Sequence, residues 1–112
     1  MSSDLAKTTD TERDCAVEGI IAIIGGKWKP ISLFQLRHGA KRYSELRRAI
    51  PQASERVLVR SLRELEQDKL IHRQVFPEVP ARVEYSLTDS GESLIPVLQV
   101  MSDWSGFVAQ ID

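Results

Sequence analysis

The sequence predicts a mainly α-helical domain with one small β-hairpin, and three observations carry that expectation. Apolar residues recur at helical spacing in several capped segments along the first two thirds of the chain. Two runs of period-two alternation, 70–76 and 82–87, then flank the Pro-rich stretch Pro77-Glu78-Val79-Pro80-Ala81. Beyond them, apolar residues spaced three and four apart continue almost to the C-terminus. A length of 112 residues suits one domain, and 42% hydrophobic against 28% charged residues suits a packed core.

Residues 1–13 are rich in Ser, Thr and Asp and are expected to form a mobile arm ahead of a domain spanning 14–112. A first helix should open at Cys15, carry Val17, Ile20, Ile21 and Ile24 on one side, and stop at Gly25-Gly26. The second should begin near Lys27, with Pro30 tolerated in its first turn. Ile31 and Phe34, with Leu33 and Leu36, would form its buried side. Ser44 is a suitable N-cap for a short third helix that turns Leu46 and Ile50 inward and ends at Pro51. Ser54 is the next N-cap, opening a helix over about 54–68. The alternating runs form a hairpin over about 70–87, stiffened at its tip by two prolines. Thr88 caps a terminal helix, about 88–110, with a kink expected at Pro96.

The 54–68 segment is the most informative. At about 100° per residue, Leu58, Leu62 and Leu65 fall in one arc, while Arg56, Arg60, Arg63 and Gln67 fall on the other side. A leucine-packed helix thereby presents guanidinium groups, which bond guanine edges or clamp phosphates. The preceding short helix carries Arg47 and Arg48, and the pair reads as a helix-turn-helix whose second helix can enter a major groove. With the hairpin as a wing, the fold is a winged helix-turn-helix with N- and C-terminal dimerisation helices. Arg82 at the wing suits a narrow minor groove. Lys41, Arg42 and Tyr43 are phosphate contacts or a short third strand, and Ser54 lies where helix amides suit a phosphate.

The formal net charge of -1 conceals this pattern. Between Lys27 and Arg82 there are 13 basic and six acidic residues, a balance of +7, whereas the flanks hold two bases and ten acids, a balance of -8. A basic centre between acidic ends points to a polyanion-binding surface on one part of the fold, double-stranded DNA being the expected partner. The alternative is a winged-helix module in which the same face binds an acidic protein.

The terminal helices suggest self-association. Leu94, Val97, Met101, Trp104 and Val108 form a heptad-like seam, with Val17, Ile20 and Ile24 of the first helix as its companions. So much apolar surface in a short domain favours a symmetric dimer.

No catalytic constellation emerges. Lys27 follows two glycines, but Ile21 and Trp28 stand where a phosphate-binding loop needs Gly and Ser/Thr. Ser93 lacks the glycines of a nucleophile elbow, and Cys15, His38 and His72 have no zinc-site spacing. Neither an enzymatic activity nor a cofactor or metal is expected. One cysteine, a polar Met1–Asp10 segment and the lack of any apolar run approaching about 18 residues predict a cytoplasmic protein with no membrane partner.

Several strings resemble the HxlR-type transcriptional regulators, relatives of the MarR-type winged helices. They are Cys15-Ala-Val-Glu18, Ile24-Gly-Gly-Lys-Trp28, Arg42-Tyr-Ser-Glu-Leu-Arg-Arg48 and Ser54-x-Arg-Val-Leu58, then Leu62-Arg-Glu-Leu-Glu66, Pro77-Glu-Val-Pro80, Arg82-Val-Glu-Tyr-Ser-Leu-Thr88 and Pro96 to Trp104. The resemblance implies a bacterial homodimer binding a pseudo-palindromic operator through paired recognition helices and wings. It also implies that Cys15, at the expected helix N-terminus where the helix dipole favours a thiolate, senses an oxidant or small-molecule electrophile. The chain departs from the family pattern at Lys69, where glycine is usual after the recognition helix, and at Gln52-Ala53, where the turn usually contains glycine.

Overall fold

The computed structural model describes the backbone of residues 10–111 and the side chains of residues 12–105. In chain order the elements are α1 (Asp10–Ile24), α2 (Trp28–Gln35), β1 (Lys41–Arg42), α3 (Tyr43–Ala49), α4 (Glu55–Gln67), β2 (Ile71–Phe76), β3 (Arg82–Leu87) and α5 (Asp89–Ile111). The strands form one antiparallel sheet in the order β1-β3-β2. Ile71 lies opposite Leu87, Arg73 opposite Tyr85 and Val75 opposite Val83, while Lys41 and Arg42 pair with Tyr85 and Glu84. This is the winged helix-turn-helix architecture expected from the sequence, and Lys41-Arg42 is its short third strand. Among the described residues, no helix is long and apolar enough to cross a membrane.

The core is built mostly of leucine. Leu33 and Leu36 of α2 and its C-cap meet Leu46 and Ile50 of the α3 segment and Leu58, Leu62 and Leu65 of α4, all at most 1% exposed. The side of α2 turned inward is therefore Ser32, Leu33 and Leu36; Ile31 is 37% exposed and Phe34 only half-buried, against the sequence expectation. The sheet buries Ile71 and Tyr85, but Val75, near the wing tip, is exposed.

Two helix starts differ from expectation. α1 begins at Asp10, so residues 10–13, read above as part of an arm, are its first turn; residues 1–9 lie outside the described part. Cys15 is consequently inside the helix rather than at its N-terminus, and the dipole argument for its reactivity falls away, since that field decays within a turn. α3 begins at Tyr43, with Arg42 rather than Ser44 in the extended N-cap conformation. Glu45 fixes this start by accepting from the Arg42 backbone N–H at 2.8 Å. That bond, ahead of the nearby Lys41, Arg42 and Arg48 charges, holds the Glu45 carboxyl below its usual pKa.

The junction between α4, wing and α5 is tightly stitched. Leu70 N–H donates to Leu65 O and Lys69 N–H to Glu66 O, both at 3.0 Å, which is the Schellman pattern of helix termination. Lys69 occupies the left-handed position at φ 62°, normally a glycine's place. Thr88 then caps α5 as expected, its Oγ1 accepting from Gly91 N–H at 3.0 Å and donating to Lys69 O at 2.7 Å. A Cβ on Gly91 would lie 2.1 Å from Leu70 O, so only glycine lets α5 approach the end of α4 this closely.

Candidate nucleic-acid interface

The turn between α3 and α4 is held by the side chain of Arg47. Its Nη1 donates to Ile50 O, at the C-cap of α3, at 3.3 Å and to Ala53 O, in the turn just ahead of Ser54, at 2.8 Å. α4 starts at Ser54, whose Oγ accepts from Val57 N–H at 3.2 Å. With Leu58, Leu62 and Leu65 sealed against the core, the opposite face of α4 is fixed outward. Arg56, Arg60, Arg63 and Gln67 are all exposed there. Glu55, Glu64 and Glu66 are within the same helix, yet among the described residues none of these arginines lies within ion-pair distance of a carboxylate. The guanidinium groups are thus available to a ligand.

Between α4 and the wing runs an open groove of about 810 Å³, walled by Arg42, Tyr43, Ser44, Glu55, Arg63, Arg73 and Arg82 among others. Tyr43, at the start of α3, is half-buried in this wall. Burial, with the Glu55 charge second, raises its phenol above the ordinary pKa, so it remains a neutral hydroxyl at physiological pH. Lys41 and Arg42 sit beside it on the sheet edge, and Arg48 is exposed on α3.

Arg82 is placed differently from the free minor-groove cation that the sequence suggested. Its guanidinium lies 4.1 Å from the Phe76 ring centroid and pairs with Glu78 at 3.0 Å and Glu84 at 3.5 Å. The wing tip beyond it exposes Val79 fully. Arg73, paired across the sheet with Tyr85, joins the groove. Its signal in the sequence was only its contribution to the basic central segment. The structure therefore brings Arg42, Tyr43, Ser54, Arg56, Arg60, Arg63, Gln67 and the wing onto neighbouring surfaces, while Arg47 and Arg82 are occupied within the fold.

The apolar surplus divides between two faces of the terminal helix. Leu94, Ile95 and Leu98 pack against the core, and Ile24 of α1 does the same. Val97, Val100, Met101 and Trp104 stand outward, Trp104 being 65% exposed, as do Val17, Ile20 and Ile21 of α1. Ile21 and Val100 were missing from the seam read in the sequence, and the side chain of Val108 lies outside the described residues. Cys15 is a free, exposed thiol on α1.

Residues 23–111 match the model of the HxlR-like helix-turn-helix family. The chain belongs to that family. An HTH-type transcriptional regulator of Methanothermobacter thermautotrophicus (strain Delta H) is 50% identical over 95 residues, 85% of this chain and 72% of the relative. Among solved structures, the oxidised form of the redox regulator HypR is 44% identical and superposes with a TM-score of 0.78, covering 82% of this chain and 95% of that one. A MarR-family transcriptional regulator from Porphyromonas gingivalis W83 is 40% identical with a TM-score of 0.80, over 88% of this chain and 95% of that one. This HxlR-like chain is accordingly a transcriptional regulator with a helix-turn-helix DNA-binding fold.

Proposed function

We propose that the protein binds a pseudo-palindromic operator as a homodimer, each protomer laying α4 in a major groove. The observation that carries this is the leucine-locked α4, whose Arg56, Arg60 and Arg63 face solvent without ion pairs among the described residues. Gln67 extends the same reading face, Ser54 offers the helix N-terminus, and Lys41, Arg42, Tyr43 and Arg48 follow the phosphates. Arg47 supports the turn between the helices. The wing lies along the backbone beside the groove, and Arg82 stiffens it. Half-sites about 34–36 Å apart along the duplex place both recognition helices on one side of the DNA.

The dimer joins the outward faces of α1 and α5, Val17, Ile20 and Ile21 with Val97, Val100, Met101 and Trp104, while Ile24, Leu94 and Val108 flank the joint. Val17, Ile20 and Ile21 of α1 and Val97, Val100, Met101 and Trp104 of α5 are exposed, more apolar surface than scattered singletons would give. Cys15, exposed on the same α1, is proposed as the point where an oxidant or electrophile acts, supported by the likeness to a redox regulator and by the thiol's exposure. Modification there would alter the joint between protomers and so the spacing of the two α4 helices.

Titration of a duplex selected from a random-sequence library tests the reading. Wild-type affinity should fall steeply with salt, by about 0.9 log unit per log unit of salt for each phosphate neutralised. Arg56→Ala and Arg60→Ala should weaken binding and relax sequence preference, while Lys41→Ala weakens all duplexes alike. If the double arginine variant binds like the wild type, or an acidic protein competes where DNA does not bind, the reading fails. Diamide should weaken binding by the wild type and leave Cys15→Ser unaffected; equal responses remove the thiol from the mechanism.

A further inference from the structure

Lys29 is an unfavourable residue for the helix that contains it. It is the second residue of α2, where the helix dipole opposes a cation, and the first turn of α2 holds no acid to offset it. Its ammonium group is instead turned away from α2 towards two other helices. Nζ donates to Ala22 O in the last turn of α1 and to Asp68 Oδ2 at the C-cap of α4, each at 3.3 Å. The Lys29 side chain is 15% exposed and that of Asp68 38%, so water reaches the pair from the Asp68 side.

Both destinations are helix C-termini that lack a cation of their own. Neither α1 nor α4 has a basic residue in its last turn. Ala22 O is among the final carbonyls of α1, which have no partner within the helix, and Asp68 places a further negative charge at the negative end of α4. One ammonium satisfies both ends at once. It does so from α2, the helix that packs against both of the others.

We propose that Lys29 is a positioning residue that couples the setting of α1 to the orientation of the recognition helix α4. This rests on the reading above of α1 as a dimer helix and α4 as the DNA-reading helix. Lys29 touches neither partner nor operator in that reading. It fixes the C-terminal end of α4, where Gln67 stands, relative to the end of α1. A shift of α1 at the joint between protomers is thereby passed to the reading face through a single half-exposed ion pair and one hydrogen bond. Any signal that moves α1 uses the same route.

The test compares Lys29→Met, Asp68→Asn, the double variant and Lys29→Arg in the full chain. Probes are a duplex selected by the wild type from a random-sequence library and a random-sequence duplex of equal length. Each neutral single variant should weaken the selected duplex about three- to tenfold. The random duplex should be unaffected, the double variant should be no weaker than either single one, and Lys29→Arg should restore wild-type binding. The salt dependence should keep its wild-type slope, because no phosphate contact is lost. Amide exchange should rise together at 25–27 and 67–69 in both single variants.

A slope reduced by about one unit in Lys29→Met would make Lys29 a phosphate contact and overturn the proposal. So would additive losses in the double variant, or faster exchange at only one of the two helix ends. Asp68→Asn keeps the test decisive should Lys29→Met fold poorly. If the wild type selects no duplex at all, the DNA reading fails by itself and exchange decides on the coupling: a joint rise at both ends upholds it, a rise at one end refutes it.

Discussion

Replacing Lys69 by glycine should stabilise the protein, although the substitution removes a side chain and a charge. Lys69 holds φ 62° at the position after the C-cap of α4, and its N–H and that of Leu70 complete the Schellman pattern. An L-residue in the left-handed region costs about 1–2 kcal/mol relative to the right-handed helix. Glycine avoids that cost but loses about 0.5–1 kcal/mol more backbone entropy on folding. Since the Lys69 side chain is exposed and makes no hydrogen bond among the described residues, the balance is about 0.5–1 kcal/mol in favour of glycine. In a domain of this size that raises the melting temperature by about 2–6 °C. Lys69→Ala is the control: it removes the charge and keeps the strained backbone, and should melt close to the wild type. Melting must be followed at matched protomer concentration, because a dimer's stability depends on it. A Lys69→Gly protein no more stable than Lys69→Ala would refute the backbone argument.

Three further outcomes follow from the same structure. Gly91→Ala should destabilise by about 3 kcal/mol or more, read by urea unfolding, because the added Cβ meets the Leu70 carbonyl at 2.1 Å and neither backbone can yield cheaply. Glu45 has a lowered folded-state pKa, so its contribution is present above the unfolded carboxylate pKa and is lost as pH falls through the folded value. Thermal melts of Glu45→Ala and wild type should differ at neutral pH and converge in acid; a gap independent of pH would show that the Arg42 N–H bond is not its source. Trp104→Asp should yield a folded monomer by light scattering at micromolar concentration, since it charges the outward face of α5 and leaves Leu94 and Leu98 in the core; a persistent dimer would move the joint elsewhere.

Legibility in the sequence followed the strength of local patterning. α4 was readable almost to the residue because leucine spacing, the Ser54 cap and the arginine arc all obey one helical period. The wing was readable because Pro77 and Pro80 forbid a continuous ladder between two alternating runs. What failed was decided by tertiary contact. Ile31 looks like a core residue, but α2 is rotated so that Ser32 and Leu33 face α4. Ser44 is the exception, displaced as cap by a local bond: Glu45 reaching back to the Arg42 N–H starts α3 earlier. On α5 the spacing does not divide the apolar residues: Leu94 and Leu98 lie on the core and leave Val97, Val100, Met101 and Trp104 as a second arc. The roles of Arg47 and Arg82 were invisible because a guanidinium that braces carbonyls and one that meets DNA are the same letter.

That last distinction changes how the basic segment acts in binding. Arg82 is held between Glu78 and Glu84 and against Phe76, and exposed pairs of this kind are worth at most about 1 kcal/mol each. The wing therefore contributes little free positive charge at long range, and the ion pairs keep the hairpin rigid before contact. Among the described residues, Arg56, Arg60 and Arg63 pair with no carboxylate on a helix fixed by its leucines, and in the proposed complex they supply the field that orients the duplex. In the proposed complex, acidic flanks disfavour DNA at the terminal helices, and approach is favoured from the α4 side. In that complex the wing would meet the backbone as a preformed edge, and Arg82 would gain a phosphate only by giving up the carboxylates of Glu78 and Glu84. Affinity should thus depend on salt chiefly through α3 and α4, with the wing setting the angle at which α4 enters the groove.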